Sequence, residues 1–220
     1  HHGRVFFPTI GRPLLFMADF IPIHTTGIAF QGLNLGGLRF GYNLMIGNGL
    51  GSTDVEENNK AKSVTALLNI KPWDGWHLGA AAYRDVISAE SVVHGRLIPN
   101  KTTQSLFTGT AAYFGQKFEL LAESTLALND VNGSSRTNSY ASYVYAGLRL
   151  NEKVVPYIRL DNLQYDSGEQ FFDNEDTTSI IAGFRYEVNY LIVLKMEYQY
   201  TDRDISGSSS LLNTQVAIGF

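Results

Sequence analysis

The sequence predicts an all-β fold, an antiparallel up-and-down β-barrel of about 11–12 strands that crosses a membrane. Three observations predict it. Segments of alternating apolar and polar residues recur along nearly the whole chain, the signal of half-buried strands. The connections between them alternate strictly, short then long. Charged residues make up 17% of the 220, below the roughly 25% of soluble globular proteins, so part of the surface does not face water.

Composition narrows the choice further. The formal charge of −4 carries no basic excess, which excludes nucleic acid as a partner. Cysteine is absent, so neither disulfides nor thiolate-held metals are expected. Mean hydropathy is −0.08 and no run of about 18 apolar residues occurs, so no transmembrane helix is expected. A spanning strand needs only about 9–11 alternating residues and leaves no such run. No signal peptide is visible, and the chain opens on His1-His2-Gly3-Arg4 without Met. The two histidines read either as a tag remnant or as an internal start.

The strands follow in order. Residues 26–33 set Ile28, Phe30 and Gly32 against Ala29 and Gln31. Residues 38–46 set Leu38, Phe40, Tyr42, Leu44 and Ile46 against Arg39, Gly41, Asn43 and Met45. Residues 62–71 set Val64, Ala66, Leu68 and Ile70 against Ser63, Thr65, Asn69 and Lys71. Segments 76–86 and 104–114 are rich in small residues and leave their faces undecided. In 117–127, Phe118, Leu120, Ala122 and Leu126 oppose Glu119, Glu123 and Thr125. In 139–150, Val144, Ala146 and Leu148 oppose Tyr143, Tyr145 and Arg149. In 154–163, Ile158 and Leu160 oppose Arg159 and Asp161. In 177–187, Ile180, Ala182, Phe184 and Tyr186 oppose Ser179, Gly183, Arg185 and Glu187. In 191–200, Ile192, Leu194, Met196, Tyr198 and Tyr200 oppose Lys195, Glu197 and Gln199. The eleventh segment puts Leu212, Val216, Ile218 and Phe220 on one face and runs to the last residue.

Short turns are expected at 34–37, 72–75, 115–116, 151–153 and 188–189, and long loops at 47–61, 87–103, 128–138, 164–176 and 201–210. Transmembrane barrels pair short periplasmic turns with long outer loops in this way. Trp73, Trp76, Tyr190 and Phe220 fall at the short-turn end, where an aromatic girdle meets the interface. Alternation by itself does not say which face is inside. A soluble lipocalin-like barrel would turn the apolar face inward, whereas the loop asymmetry and the charge deficit favour apolar faces toward lipid.

The closing strand resembles the last strand of bacterial outer-membrane β-barrels. In that family the final aromatic is part of the signal read by the barrel-assembly machinery, a role that the resemblance gives to Phe220. Placing residue 220 in the periplasm and counting back eleven strands puts residue 25 outside. A complete single-chain barrel has an even strand count, so either residues 4–20 add a twelfth strand or the chain is the carboxy-terminal part of a larger barrel. His1-His2-Gly3, Arg12-Pro13, Ile21-Pro22-Ile23-His24-Thr25-Thr26-Gly27 and the later Gly47-Asn48-Gly49 resemble a region within larger porin-like proteins, where the His-His-Gly stretch lies in an outer loop. That resemblance covers about the first fifty residues and favours the larger barrel. The whole of 1–220 is then one barrel domain, with 1–25 as an outer or constriction loop (or extra strand) and 26–220 as eleven strands.

With apolar faces toward lipid, the lumen is lined by Arg39, Lys71, Glu119, Glu123, Arg149, Arg159, Asp161, Arg185, Lys195 and Glu197. Their signs balance, so weak ion selectivity is expected. The competing reading is that they pair and plug a narrow barrel. The acidic runs Asp54-Val55-Glu56-Glu57 and Asp173-Asn174-Glu175-Asp176 lack ordered cation-loop spacing and read as solvated loops. His24-Thr25-Thr26 is the nearest approach to the His and Ser that outer-membrane acyl hydrolases place two residues apart, with Thr where Ser is required. The chain is therefore expected not to be an enzyme and to need no cofactor. Gly47-Asn48-Gly49-Leu50-Gly51 has no helix after it and reads as a loop rather than a phosphate cradle.

The resemblance implies a porin-like channel in the bacterial outer membrane, passing small hydrophilic solutes or ions by passive diffusion. Its expected partners are membrane lipid and lipopolysaccharide, the assembly machinery and the solutes, with an oligomer or protein partner left open. The alternative is a structural barrel with a closed lumen, serving as a subunit of a surface complex.

Overall fold

The computed structural model describes residues 7–18, 20–22, 25–51, 59–93, 95–172 and 175–219. Eleven strands form one antiparallel sheet in sequence order: β1 (Gly27–Leu35), β2 (Phe40–Gly47), β3 (Ser63–Ile70), β4 (Trp76–Ile87), β7 (Thr102–Phe114), β8 (Phe118–Val131), β9 (Thr137–Leu148), β10 (Val154–Gln164), β11 (Thr177–Asn189), β12 (Ile192–Arg203) and β13 (Ser209–Ile218). The sequence missed a small hairpin in the loop after β4, formed by β5 (Ser91–Val93) and β6 (Arg96–Ile98). One short helix, α1 (Leu14–Met17), follows Pro13. Among the described residues no helix is long and apolar enough to cross a membrane.

Strand lengths of eight to fourteen residues match tilted spanning strands of about 9–11 residues with polar extensions. Two regions expected as long loops are mostly strand. Leu128 and Asn129 continue the β8–β9 ladder onto Asn138 and Thr137, Asp130 and Val131 continue β8 along β7, and the turn beyond is clasped by Arg136 on Asp130 at 2.7 and 2.8 Å. Thr201–Arg203 likewise extends β12 along β11. Polarity there marks hairpins that reach into water, where a ladder forms as readily as a loop.

The faces are inverted relative to a soluble protein. On β10, Val155, Tyr157, Arg159, Asp161 and Leu163 are buried while Ile158 and Leu160 are exposed. On β12, Lys195, Glu197 and Thr201 are buried while Leu194, Met196, Tyr198 and Tyr200 are exposed. Such an apolar exterior is stable only against lipid. Trp73, Phe114, Phe118 and Tyr190 stand exposed at the short-turn end, the level of an interfacial girdle.

The sheet wraps around residues 7–18 and 20–22. Leu15 and Phe20 share one apolar cluster with Tyr83 on β4, Leu106 on β7, Ala127 on β8, Ala141 on β9 and Leu163 on β10. At the other margin the strands lack such cover. β1 is exposed on both faces at all positions except Gly32, and β1 and β13 each pair on one side only.

Candidate functional site

Residues 7–12 run along the inner face of β10 and β12 as irregular, bent chain without a ladder of their own. Buried backbone groups of such a segment must find partners, and three wall side chains supply them. Lys195 Nζ donates to the carbonyls of Phe7 and Thr9 at 2.6 and 3.3 Å. Arg159 donates to Thr9 Oγ1 and the Gly11 carbonyl, both at 2.7 Å, and to the Arg12 carbonyl at 3.3 Å. Glu197 Oε1 accepts from the Ile10 amide at 2.6 Å and from the Tyr157 hydroxyl at 2.7 Å. Asp161 takes up the remaining side of Arg159, at 3.0 Å. These are charge-assisted bonds, roughly twice as strong as neutral ones.

Tyr157 reaches Glu197 because glycine flanks it on both neighbouring strands, Gly147 on β9 and Gly183 on β11. A Cβ on Gly183 would meet Tyr157 Cζ and Glu197 Cγ at 2.9 Å. Nearer the short-turn end a second network forms. Glu119 accepts from Arg185 at 2.8 and 3.0 Å, from Arg149 at 3.0 Å and from the Tyr145 hydroxyl at 3.1 Å. Glu187 accepts from both arginines at 2.8 Å. Two cations and two anions there neutralise one another.

Toward the outer end the infolded segment is apolar. Phe20 is fully buried and stacks on Phe172 of the β10–β11 loop with centroids 4.7 Å apart. That loop is anchored by Glu169, which accepts from Asn129, Thr137 and Ser139 on the wall and from the Phe171 amide. Gly49, at φ +78, passes directly over Asp85, whose carboxylate accepts the Leu50 amide at 2.7 Å and the Tyr83 hydroxyl at 3.0 Å.

Space remains on both sides of the segment. A cavity of about 390 Å³ lies toward β8–β10, bordered by Phe7, Pro13, Phe16, Tyr143 and Tyr145. Another of about 300 Å³ lies toward β3–β8, where Thr65, Thr108, Thr110 and Glu123 face Phe16 and Ile21.

Of the ten residues expected on the lumen face, Glu119, Arg159, Asp161, Arg185, Lys195 and Glu197 are buried on the inner face and Glu123 is half-buried there. Arg149 stands just past β9 and joins the Glu119 network. Two placements are corrected. Arg39 is not on a strand: β2 begins at Phe40, and Arg39 sits in the preceding turn at φ +48, with its exposed side chain 4.0 Å from Asp74. Lys71 lies one residue beyond β3, at the rim, its amide closing onto the Leu38 carbonyl. Phe220, His1, His2, His24 and the acidic run 54–57 lie outside the described residues, as do Asp173 and Asn174. Sequence reasoning put Tyr145 and Glu187 on polar strand faces without counting them among the lumen residues and passed over Tyr157, although an aromatic opposite glycines on a polar face was a usable signal. Asp85 and Glu169 carried none, because each bonds between a loop and a distant strand: the Leu50 loop reaches Asp85, and Glu169 reaches from its loop to the wall.

Comparison with known proteins supports the architecture. The chain is similar to OmpT, an outer membrane protein of Vibrio cholerae, in a loop L8 deletion mutant (TM-score 0.61, 16% identity, 89% of this chain and 63% of that one). It is also similar to in-vitro folded OmpT (TM-score 0.60, 15% identity, 97% and 68%) and to outer-membrane expressed OmpT (TM-score 0.52, 20% identity, 74% and 51%). The chain thus spans about three fifths of the length of the first of these structures. No protein-family model matches it, and no curated protein sequence does either. The fold is that of an outer-membrane β-barrel, and with its apolar exterior this places the chain in a bacterial outer membrane. One expectation is corrected by the same finding. Enzymatic activity was excluded from the sequence for want of a nucleophile–base pair at strand spacing. The likeness to OmpT overturns that exclusion, because at 15–20% identity it shows a barrel on which chemistry is as admissible as transport.

Proposed function

We propose that the chain is wall and inner constriction of a porin-like pore through which small hydrophilic solutes or ions diffuse passively. The observation that carries this reading is the polar inner face with residues 7–12 clamped onto it by Lys195, Arg159 and Glu197. A segment held by charge-assisted bonds inside an amphipathic sheet narrows a lumen without filling it, and the cavities beside it are room for water. Bare edges of β1 and β13 cannot face hydrocarbon, so the working barrel closes through strands beyond these eleven. Lipid and lipopolysaccharide surround it, and assembly machinery inserts it. Planar-bilayer recordings of the full-length protein test the reading: stepwise conductance at high salt is expected, and its absence sinks the idea.

A second reading has one observation in its favour. The inner-face charges of β10–β12 are paired with one another or with residues 7–12, as in a closed lumen. A structural barrel in a surface complex would then show no conductance and would co-purify with a stoichiometric partner.

A further inference from the structure

We propose that Glu123 gives this pore a preference for cations, by presenting the uncompensated charge of the open side of the lumen; the inference rests on the pore reading above. Its position follows from the strand register. Gly41, Asn69, Gly79, Thr110, Glu123 and Tyr143 are successive cross-strand neighbours from β2 to β9 and form one belt across the inner face. From Gly41 to Gly79 the belt is made of small neutral residues. Glu123 is the first charge reached, halfway along β8, where the cavity narrows against Phe16 and Ile21.

Its chemistry differs from that of the other inner-face charges. Arg159, Lys195 and Glu197 hold the infolded segment, and Glu119, Arg149, Arg185 and Glu187 neutralise one another. Among the described residues, neither a hydrogen bond nor an ion pair reaches the Glu123 carboxylate, and no Lys, Arg or His lines its cavity. Asp85, on the inner face of β4, likewise has amide and hydroxyl donors but no cation. The remaining polar atoms are hydroxyls. Thr108 and Thr125 share a hydrogen bond at 2.8 Å, and Thr110 stands directly across from Glu123. A carboxylate beside hydroxyl oxygens replaces part of a cation's hydration shell and repels an anion.

The test is the reversal potential of the full-length protein in planar bilayers under a KCl gradient. The wild type is expected to pass K⁺ in preference to Cl⁻. Glu123→Gln should lower the permeability ratio about fivefold, the worth of one unit charge at ~4 Å in water-like surroundings, and Glu123→Asp should retain most of it. Anion preference in the wild type overturns the inference, as does an unchanged ratio in a conducting Glu123→Gln channel, while in both cases the pore reading stands. Absence of conductance from the wild type overturns both. The wild-type sign decides by itself should the Gln variant fail to insert.

Discussion

The two halves of the sheet solve different problems with the same alternating pattern. β8–β12 carry long, buried inner faces on which most of the charged residues bond to the infolded segment or to a neighbouring charge. β1–β3 are shorter, their inner faces are small or neutral, and much of their surface stands open. The difference makes the inner face asymmetric: β10 and β12 clamp residues 7–12, while β1–β3 stand open. On the pore reading proposed above, paired charges on the clamp side stiffen the wall without setting a field, and a few unpaired groups on the open side would decide what passes.

The contrast can be broken most forcefully at Glu119. Glu119→Ala leaves Arg185 buried with only Glu187 for compensation, and loss of one partner of such a buried network costs about 3 kcal/mol. Urea unfolding of the folded barrel in lipid reads this as a fall in midpoint, and a fall of less than about a third of that size would mean the clamp is not a stabilising element.

Glycine sharpens the comparison at a smaller scale. Gly183→Val drives a side chain into the Met196 carbonyl, Tyr157 and Glu197, and should cost about 1–3 kcal/mol while loosening the segment that Glu197 holds. Gly109→Val on β7, with nothing within 4 Å of its Cβ position, should stay within about 0.5 kcal/mol. Equal effects at the two sites would erase the proposed division of the sheet.

The smallest effect lies outside both halves. Glu175, in the loop after β10, accepts from the Ser206 hydroxyl and from the amides of Ser206 and Ile205, which hold its carboxyl below the ordinary value of 4.5. A depressed carboxyl contributes stability above its unfolded value and loses it as pH falls through its folded value. Amide protection factors at the β12–β13 turn, corrected for the intrinsic pH dependence of exchange, should therefore fall as the medium is acidified, and Glu175→Gln should flatten that dependence while leaving the clamp unaffected. A turn equally protected at both extremes would contradict the assignment.

Much of this was legible in the chain itself. The eleven strands stood out because a spanning strand must alternate between two environments, and most segments do so, while 76–86 and 104–114 left their faces undecided. Six of the ten expected lumen residues are buried where alternation put them. Arg39 was misplaced because periodicity continues smoothly through a tight turn, and only its left-handed backbone marks the break. Glu169 and Asp85 escaped notice because their contacts join a loop to a strand thirty or more residues away.

By itself, then, the sequence determined the strand content, the order of the strands and the division of most of them into two chemically distinct faces, since those follow from local periodicity. Only the tertiary structure decided that the apolar face points outward, that residues 7–12 lie along β10 and β12, and that Arg185, Arg159 and Lys195 are engaged while Glu123 is not. The reason is physical: alternation states that two faces differ, but which face encloses space, and which charges find one another across it, depends on contacts between residues as much as 188 positions apart.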